Sequence, residues 1–127
     1  MQARQILDTW IARVRANDLD GVVGMYGEGS VLLPTFSPHR INSDAGLRDY
    51  YAALFGRDGL QVDVHEASLR VLPTGGTVST LVGIYSFSFV VDDDRLTFPS
   101  RFTFVVDTEA DAPILHHHSS QVPRTLS

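Results

Sequence analysis

The chain has 127 residues, a formal net charge of −5 and no cysteine. This length supports one domain with a real core but not two, and the missing thiols exclude a disulfide framework, a thiolate nucleophile and a cysteine metal site. The basic residues are scattered, which excludes the basic face of a nucleic-acid binder, and no apolar run approaches the roughly 20 residues of a membrane span.

From the N-terminus, residues 3–16 read as a helix, because Ile6, Leu7, Trp10, Ile11 and Val14 recur at three- and four-residue steps. Arg4 and Asp8 lie inside that amphipathic pattern, so the segment is not a signal peptide. Together with the absent cysteines, this points to a cytoplasmic protein. Asn17-Asp18 break the helix, and Asp18 can cap a second, short one that runs to about Tyr26. Gly27-Glu28-Gly29 end it, and Ser30 to Leu33 form a short strand before Pro34. A loop from Thr35 to Asn42 follows. Ser43 or Asn42 then caps a third helix, Asp44 to Phe55, stopped by Gly56.

The remainder is strand-like. Leu60–Arg70 reads as one strand, Gly75-Gly76 as a turn and Thr77–Val91 as the next strand. Asp92-Asp93-Asp94 make a solvated hairpin turn, since the spacing of liganding oxygens for a calcium loop is missing. Arg95–Asp107 and Ile114–Val122 complete the set. Short, turn-rich connections argue for antiparallel pairing. Helices first and long strands afterwards describe an α+β fold: a single domain over residues 1–127, its three N-terminal helices packed on a strongly curved, mainly antiparallel sheet. Tyr85, Phe87 and Phe89 occupy one parity of their strand, and Phe98, Phe102 and Phe104 one parity of the next. Register between the two is open at this level.

The last strand carries Leu115-His116-His117-His118-Ser119-Ser120. Alternation places His116 and His118 on one face and His117 on the other with Leu115 and Ser119, so titratable groups stand on both sides of the sheet. A pocket or an interface is expected there, because such groups are costly to bury alone.

Val31-Leu32-Leu33-Pro34-Thr35, Leu47-Arg48-Asp49-Tyr50-Tyr51, Gly83-Ile84-Tyr85-Ser86-Phe87 and Pro99-Ser100-Arg101-Phe102-Thr103-Phe104-Val105 precede the terminal His-His-His-Ser-Ser. In this order they resemble the NTF2-like superfamily, with its SnoaL-like, cystatin-like cone fold. Within it they are closest to bacterial relatives of the association domain of calcium/calmodulin-dependent protein kinase II. The resemblance implies a homodimer or higher homo-oligomer whose sheets face each other, with a cone pocket in each subunit. In the kinase hub several arginines line that pocket and bind small carboxylates. By position, Arg101 matches one of them, while Tyr85 and Ser119 stand where others would be, so a less cationic pocket is implied. His116 and His118 match hub histidines, and His117 replaces an aromatic residue.

Arg101 interrupts a strand of small and apolar side chains, which makes it the leading anion clamp; a structural ion pair is the plainer alternative. The ligand-binding set is Arg101, Tyr85, His117, Ser119 and Tyr50. His116 and His118 have a spacing that could serve a metal, but His65 and His39 are distant third ligands, so neither a metal nor a cofactor is assigned. His117 as a general base lacks an identifiable orienting partner; Asp49 is one option, a solvated helix face the other. Two function classes remain. One is a non-catalytic homo-oligomeric domain with a cone pocket for a small anionic or aromatic molecule, a carboxylate being the candidate. The other is a small lyase, isomerase or cyclase acting on a polar aromatic or polyketide-like metabolite.

Overall fold

The computed structural model describes residues 1–123, so residues 124–127 of the single-domain assignment lie outside the described residues. Helix α1 (Ala3–Arg15) opens with the Gln2 N–H donating to the Gln5 side chain at 2.7 Å and ends with Arg13 and Arg15, whose charges suit its C-terminus. Its five periodic apolar residues are all buried, Trp10 and Val14 completely. Asn17 turns the chain with φ 54°, and the Asp18 carboxylate accepts the Gly21 N–H at 2.9 Å to start α2 (Leu19–Val23).

Helix α2 ends earlier than its sequence suggests, because strand β1 (Tyr26–Leu33) begins at Tyr26. Tyr26 pairs with Ile114, whose N–H donates to the Met25 carbonyl at 2.9 Å. A sheet hydrogen bond thus displaces the last helical turn that local propensity alone would favour. Gly27 sits at this crossing; a Cβ there would meet the Ala112 carbonyl at 3.1 Å. Helix α3 (Asp44–Phe55) is capped by Ser43, which accepts the Gly46 N–H at 3.0 Å, leaving Asn42 outside the cap.

The expected strand over Leu60–Arg70 is in fact two strands joined by a corner: β2 (Asp58–Val64), a 3₁₀ turn at Glu66–Ser68, and β3 (Arg70–Gly75). Strand β4 (Val78–Val91) is long enough to take β3 beside Val78–Val82 and β2 beside Tyr85–Val90, so the chain must bend between them. Ser68 holds the corner, accepting the Ile84 N–H at 2.8 Å and donating to the His65 carbonyl at 2.7 Å. Strand β5 (Asp94–Asp107) pairs with β4 without interruption through a turn in which Asp92 and Asp93 take φ 51° and 67°, a left-handed pair that aspartate tolerates. Strand β6 (Ile114–Gln121) closes on β5 and then, in parallel, on β1.

The sheet order is β1-β6-β5-β4-β2, with β3 alongside β4, and every pairing except β1–β6 is antiparallel. Register settles the question of faces. Tyr85 lies opposite Ser100, Phe87 opposite Phe98 and Phe89 opposite Leu96, so the aromatic rows of β4 and β5 share one side. That side meets Trp10, Val14, Tyr51 and Leu54 of the helices in one apolar core. Among the described residues no helix is long and apolar enough to cross a membrane.

Candidate functional site in the cone

Four strands and two helices aim polar side chains into this otherwise apolar core. Alternation on β6 turns His117 and Ser119 inward and leaves His116 and His118 on the outer face. Leu115 does not join His117 inside. The β5–β6 register slips between Val105 and Val106, which buries Ile114 and exposes Leu115. Tyr85 comes from β4, Ser100 from β5, Tyr26 from β1, Tyr51 from α3 and Trp10 from α1.

These groups form one chain of hydrogen bonds whose direction is forced. Trp10 Nε1–H can only donate, and it donates to Tyr51 Oη at 3.2 Å. From the other end, Tyr85 gives its proton to Ser119, so His117 Nε2 must donate to Tyr85. Nδ1 then accepts from Tyr26 Oη at 2.7 Å, and Tyr26 accepts from Tyr51 Oη at 2.5 Å. With Nδ1 accepting, the neutral imidazole carries its proton on Nε2 and donates to Tyr85 Oη at 3.0 Å. Tyr85 donates to Ser119 Oγ at 2.6 Å. Ser119 meets Thr35 Oγ1, Thr35 donates to Ser100 Oγ at 3.4 Å, and Ser100 ends the chain on the Phe98 carbonyl at 3.3 Å. Each hydroxyl spends its one proton and keeps an acceptor filled. That is how a polar network persists in a core without a penalty for unpaired groups.

Burial sets the charge state. Desolvation, reinforced by His116 and His118, holds the His117 pKa well below the ordinary imidazole value, so the ring is neutral. Desolvation likewise pushes the phenols up: Tyr51 to about 12, and Tyr26 and Tyr85 well above the ordinary phenol value. The site is a neutral array of phenols, hydroxyls and one imidazole.

Between these groups lies a cavity of about 10 Å³, the room one water molecule needs. Tyr50, Tyr85, His117 and Ser119 all line it, so four of the five expected ligand-binding residues come together. Arg101 does not join them. It is exposed on the opposite face of the sheet, in register with Ile84 and Ser120, because its β5 neighbours Ser100 and Phe102 point inward. It makes no ion pair among the described residues. None of the side chains around the cavity is a cation, so an anion clamp inside the cone has no charge to act with.

The remaining candidates are placed as follows. His116 Nδ1 is bonded to the Val31 carbonyl at 2.9 Å, and His65 Nε2 to Ser86 Oγ at 2.8 Å. Asp49 is exposed, on the solvated side of α3 rather than beside His117. Among the described residues no group of three or more His, Cys, Asp or Glu side chains converges. Sequence reasoning missed Trp10, Tyr26, Tyr51, Thr35 and Ser100 as members of the polar chain. Tyr51, on the apolar side of α3 beside Tyr50, carried the one usable signal, a hydroxyl on a core-facing position.

The model of the calcium/calmodulin dependent protein kinase II association domain matches residues 2–123. The chain belongs to that family. No curated protein matches it. Among solved structures, a candidate calcium/calmodulin dependent protein kinase II association domain from Xanthomonas campestris superposes with a TM-score of 0.85 at 23% identity, covering 98% of this chain and 91% of that one. A candidate aromatic ring hydroxylase from Novosphingobium aromaticivorans gives 0.79 at 15% identity over 95% and 87% of the two chains. A ketosteroid isomerase-like protein from Erwinia carotovora atroseptica gives 0.73 at 10% identity over 95% and 94%. At these identities the likeness is one of fold, and this association-domain chain shares with those structures its helices packed on a mainly antiparallel sheet.

Proposed function

We propose that the protein is a homo-oligomeric association domain that pairs through the outer face of its sheet and holds a small uncharged molecule, aromatic or hydroxylated, in its cone. One observation carries the reading: the two faces of the sheet differ in chemistry. The inner face presents the neutral hydrogen-bond chain around His117. The outer positions of the central strands carry Thr80, Val82 and Ile84, then Thr103 and Val105, then His118 and Ser120, with Arg101 among them and Arg95 at the hairpin end, bonded to Ser88 Oγ. A broad sheet face with so few charges suits a second subunit, and stable pairing calls for more than about 1,000 Å² of buried surface. The family's name as an association domain supports the same conclusion.

The ligand of this reading is neutral. A carboxylate loses its support once Arg101 stands on the other face and His117 is held uncharged. Light scattering tests the assembly, and a monomer at micromolar concentration ends that half of the reading. Amide and imidazole NMR signals test the cone: small neutral aromatics should move those of His117 and Ser119, and acetate should not.

A second reading, a small lyase, isomerase or cyclase, is favoured by the imidazole of His117 lying between two phenols at a cavity, since such groups can pass protons. It is separated from the first by recovering a bound ligand after prolonged incubation; an unchanged molecule excludes turnover.

A further inference from the structure

Phe36 belongs to the loop between β1 and α3, yet its ring sits in a slot built by the sheet. Its centroid is 5.5 Å from Phe87, 5.8 Å from Phe89 and 5.4 Å from Phe98, each in an edge-to-face approach with planes 68° to 87° apart. The slot itself is fixed. Phe87 and Phe89 are buried on β4, and Phe89 stacks on Phe98 at 5.1 Å.

Phe36 is only half-buried, and the loop that carries it is tied to the fold at its base and through the Thr35 hydroxyl. Leu32 and Ile41 exchange two backbone hydrogen bonds of 2.8 and 2.9 Å, and these are the only ladder contacts the loop makes among the described residues. The residue before it, Thr35, supplies the hydroxyl that links Ser119 to Ser100 at the end of the polar chain. Phe87 is common to both places, being a wall of the small cavity and a contact of the Phe36 ring. Thr35 and Phe36 together therefore present a hydroxyl and an aromatic ring to two sites that the rest of the fold has prepared for those groups.

We infer that Thr35–Phe36 is an internal stand-in for the ligand: a planar aromatic ring carrying one neutral hydroxyl displaces the pair, its ring entering the slot of Phe87, Phe89 and Phe98 and its hydroxyl meeting Ser119 and Ser100. The loop swings aside on its Leu32–Ile41 base. The inference rests on the cone being a ligand site and specifies the class of that ligand as small phenols and aromatic alcohols. It accounts for a cone that is almost filled by its own side chains, Thr35 among them.

The test titrates phenol into the wild-type protein and into Phe36→Ala, following aromatic NMR signals of Phe89 and Phe98 and the amide of Ser119, with benzoate as the charged control. Phe36→Ala should bind phenol at least ~10-fold more tightly than wild type, because no internal ring has to leave. Its thermal midpoint should rise with phenol while benzoate has no effect. If Phe36→Ala does not fold at room temperature, Phe36→Leu is titrated instead, and phenol should stabilise it relative to wild type. Equal phenol affinity in wild type and variant, or benzoate binding as well as phenol, overturns the inference. Phenol shifts at Ser119 and His117 with none at Phe89 and Phe98 overturn the stand-in but leave the cone reading intact. Absence of any shift in both proteins overturns both.

Discussion

The imidazole of His117 lies flat on the ring of Phe104, with centroids 3.8 Å apart and planes 16° from parallel. One face of the ring is thus given to a hydrocarbon surface, while its two nitrogens are taken by Tyr26 and Tyr85. Nothing charged compensates an imidazolium there, which is why burial depresses its pKa.

That depression makes stability depend on pH in a defined direction. In the unfolded chain the histidine protonates near pH 6.5, and in the folded chain only well below it, so between those values the unfolded state binds more protons. The contribution of His117 is complete above about pH 6.5 and declines as pH falls toward the folded value. Thermal melts at fixed protein concentration should therefore show a lower midpoint at pH 5 than at pH 7.5, and His117→Phe should flatten that slope. Identical midpoints for the wild type at both pH values contradict the buried neutral ring.

Tyr85→Phe removes the hydroxyl between His117 Nε2 and Ser119 Oγ and leaves a buried N–H without an acceptor. The expected loss is about 1–3 kcal/mol in urea unfolding. Tyr50→Phe is the control. Tyr50 lines the same cavity but has no part in the hydrogen-bond chain, so it should lose less than about 1 kcal/mol. Equal losses for the two variants would show that the chain contributes no stability of its own.

Trp10 is the single tryptophan of the sequence. It is fully buried, stacked on Tyr85 at 5.5 Å and edge-on to Phe104 and His117. Trp10→Ala should lose about 3–5 kcal/mol, the usual range for truncating a buried large aromatic. Urea titration followed by far-UV circular dichroism measures it, and a loss below about 1 kcal/mol would mean the helix α1 packing is not as described.

Arg101→Met changes an exposed outer-face position and should leave monomer stability within about 0.5 kcal/mol and cone binding unaltered. Ile84→Asp, opposite Arg101 on the same face, puts a carboxylate into the proposed subunit contact and should shift the protein to monomer in light scattering. If Ile84→Asp remains fully oligomeric, the subunits pair by some other surface.

Helix α1 and the β4–β5 hairpin were legible to within one residue at each end. Their signals are local: a repeat of apolar residues at three and four steps, and an acidic turn between two aromatic strands. That His117 and Ser119 share a face opposite to His116 and His118 was also legible, since alternation needs only the strand itself. The ends of α2 and β1, and the break of Leu60–Arg70 into two strands, were not. Each depends on a pairing with a distant strand, Tyr26 with Ile114 and β3 with the far half of β4.

The pattern of residues along the chain establishes an α+β fold of N-terminal helices and a mainly antiparallel sheet, because periodicity and turn chemistry are properties of neighbours in sequence. The side of Arg101, the neutrality of His117 and the union of Trp10, Tyr26, Tyr51, Tyr85 and Thr35 in one hydrogen-bond chain arise from contacts between residues far apart in sequence. Parity assigns a residue to one of two faces; packing of the helices decides which face is dry. An arginine whose sequence neighbours suggest a pocket stands outside it, and a histidine that reads as a base is held uncharged, since desolvation acts only once the helices close over the sheet.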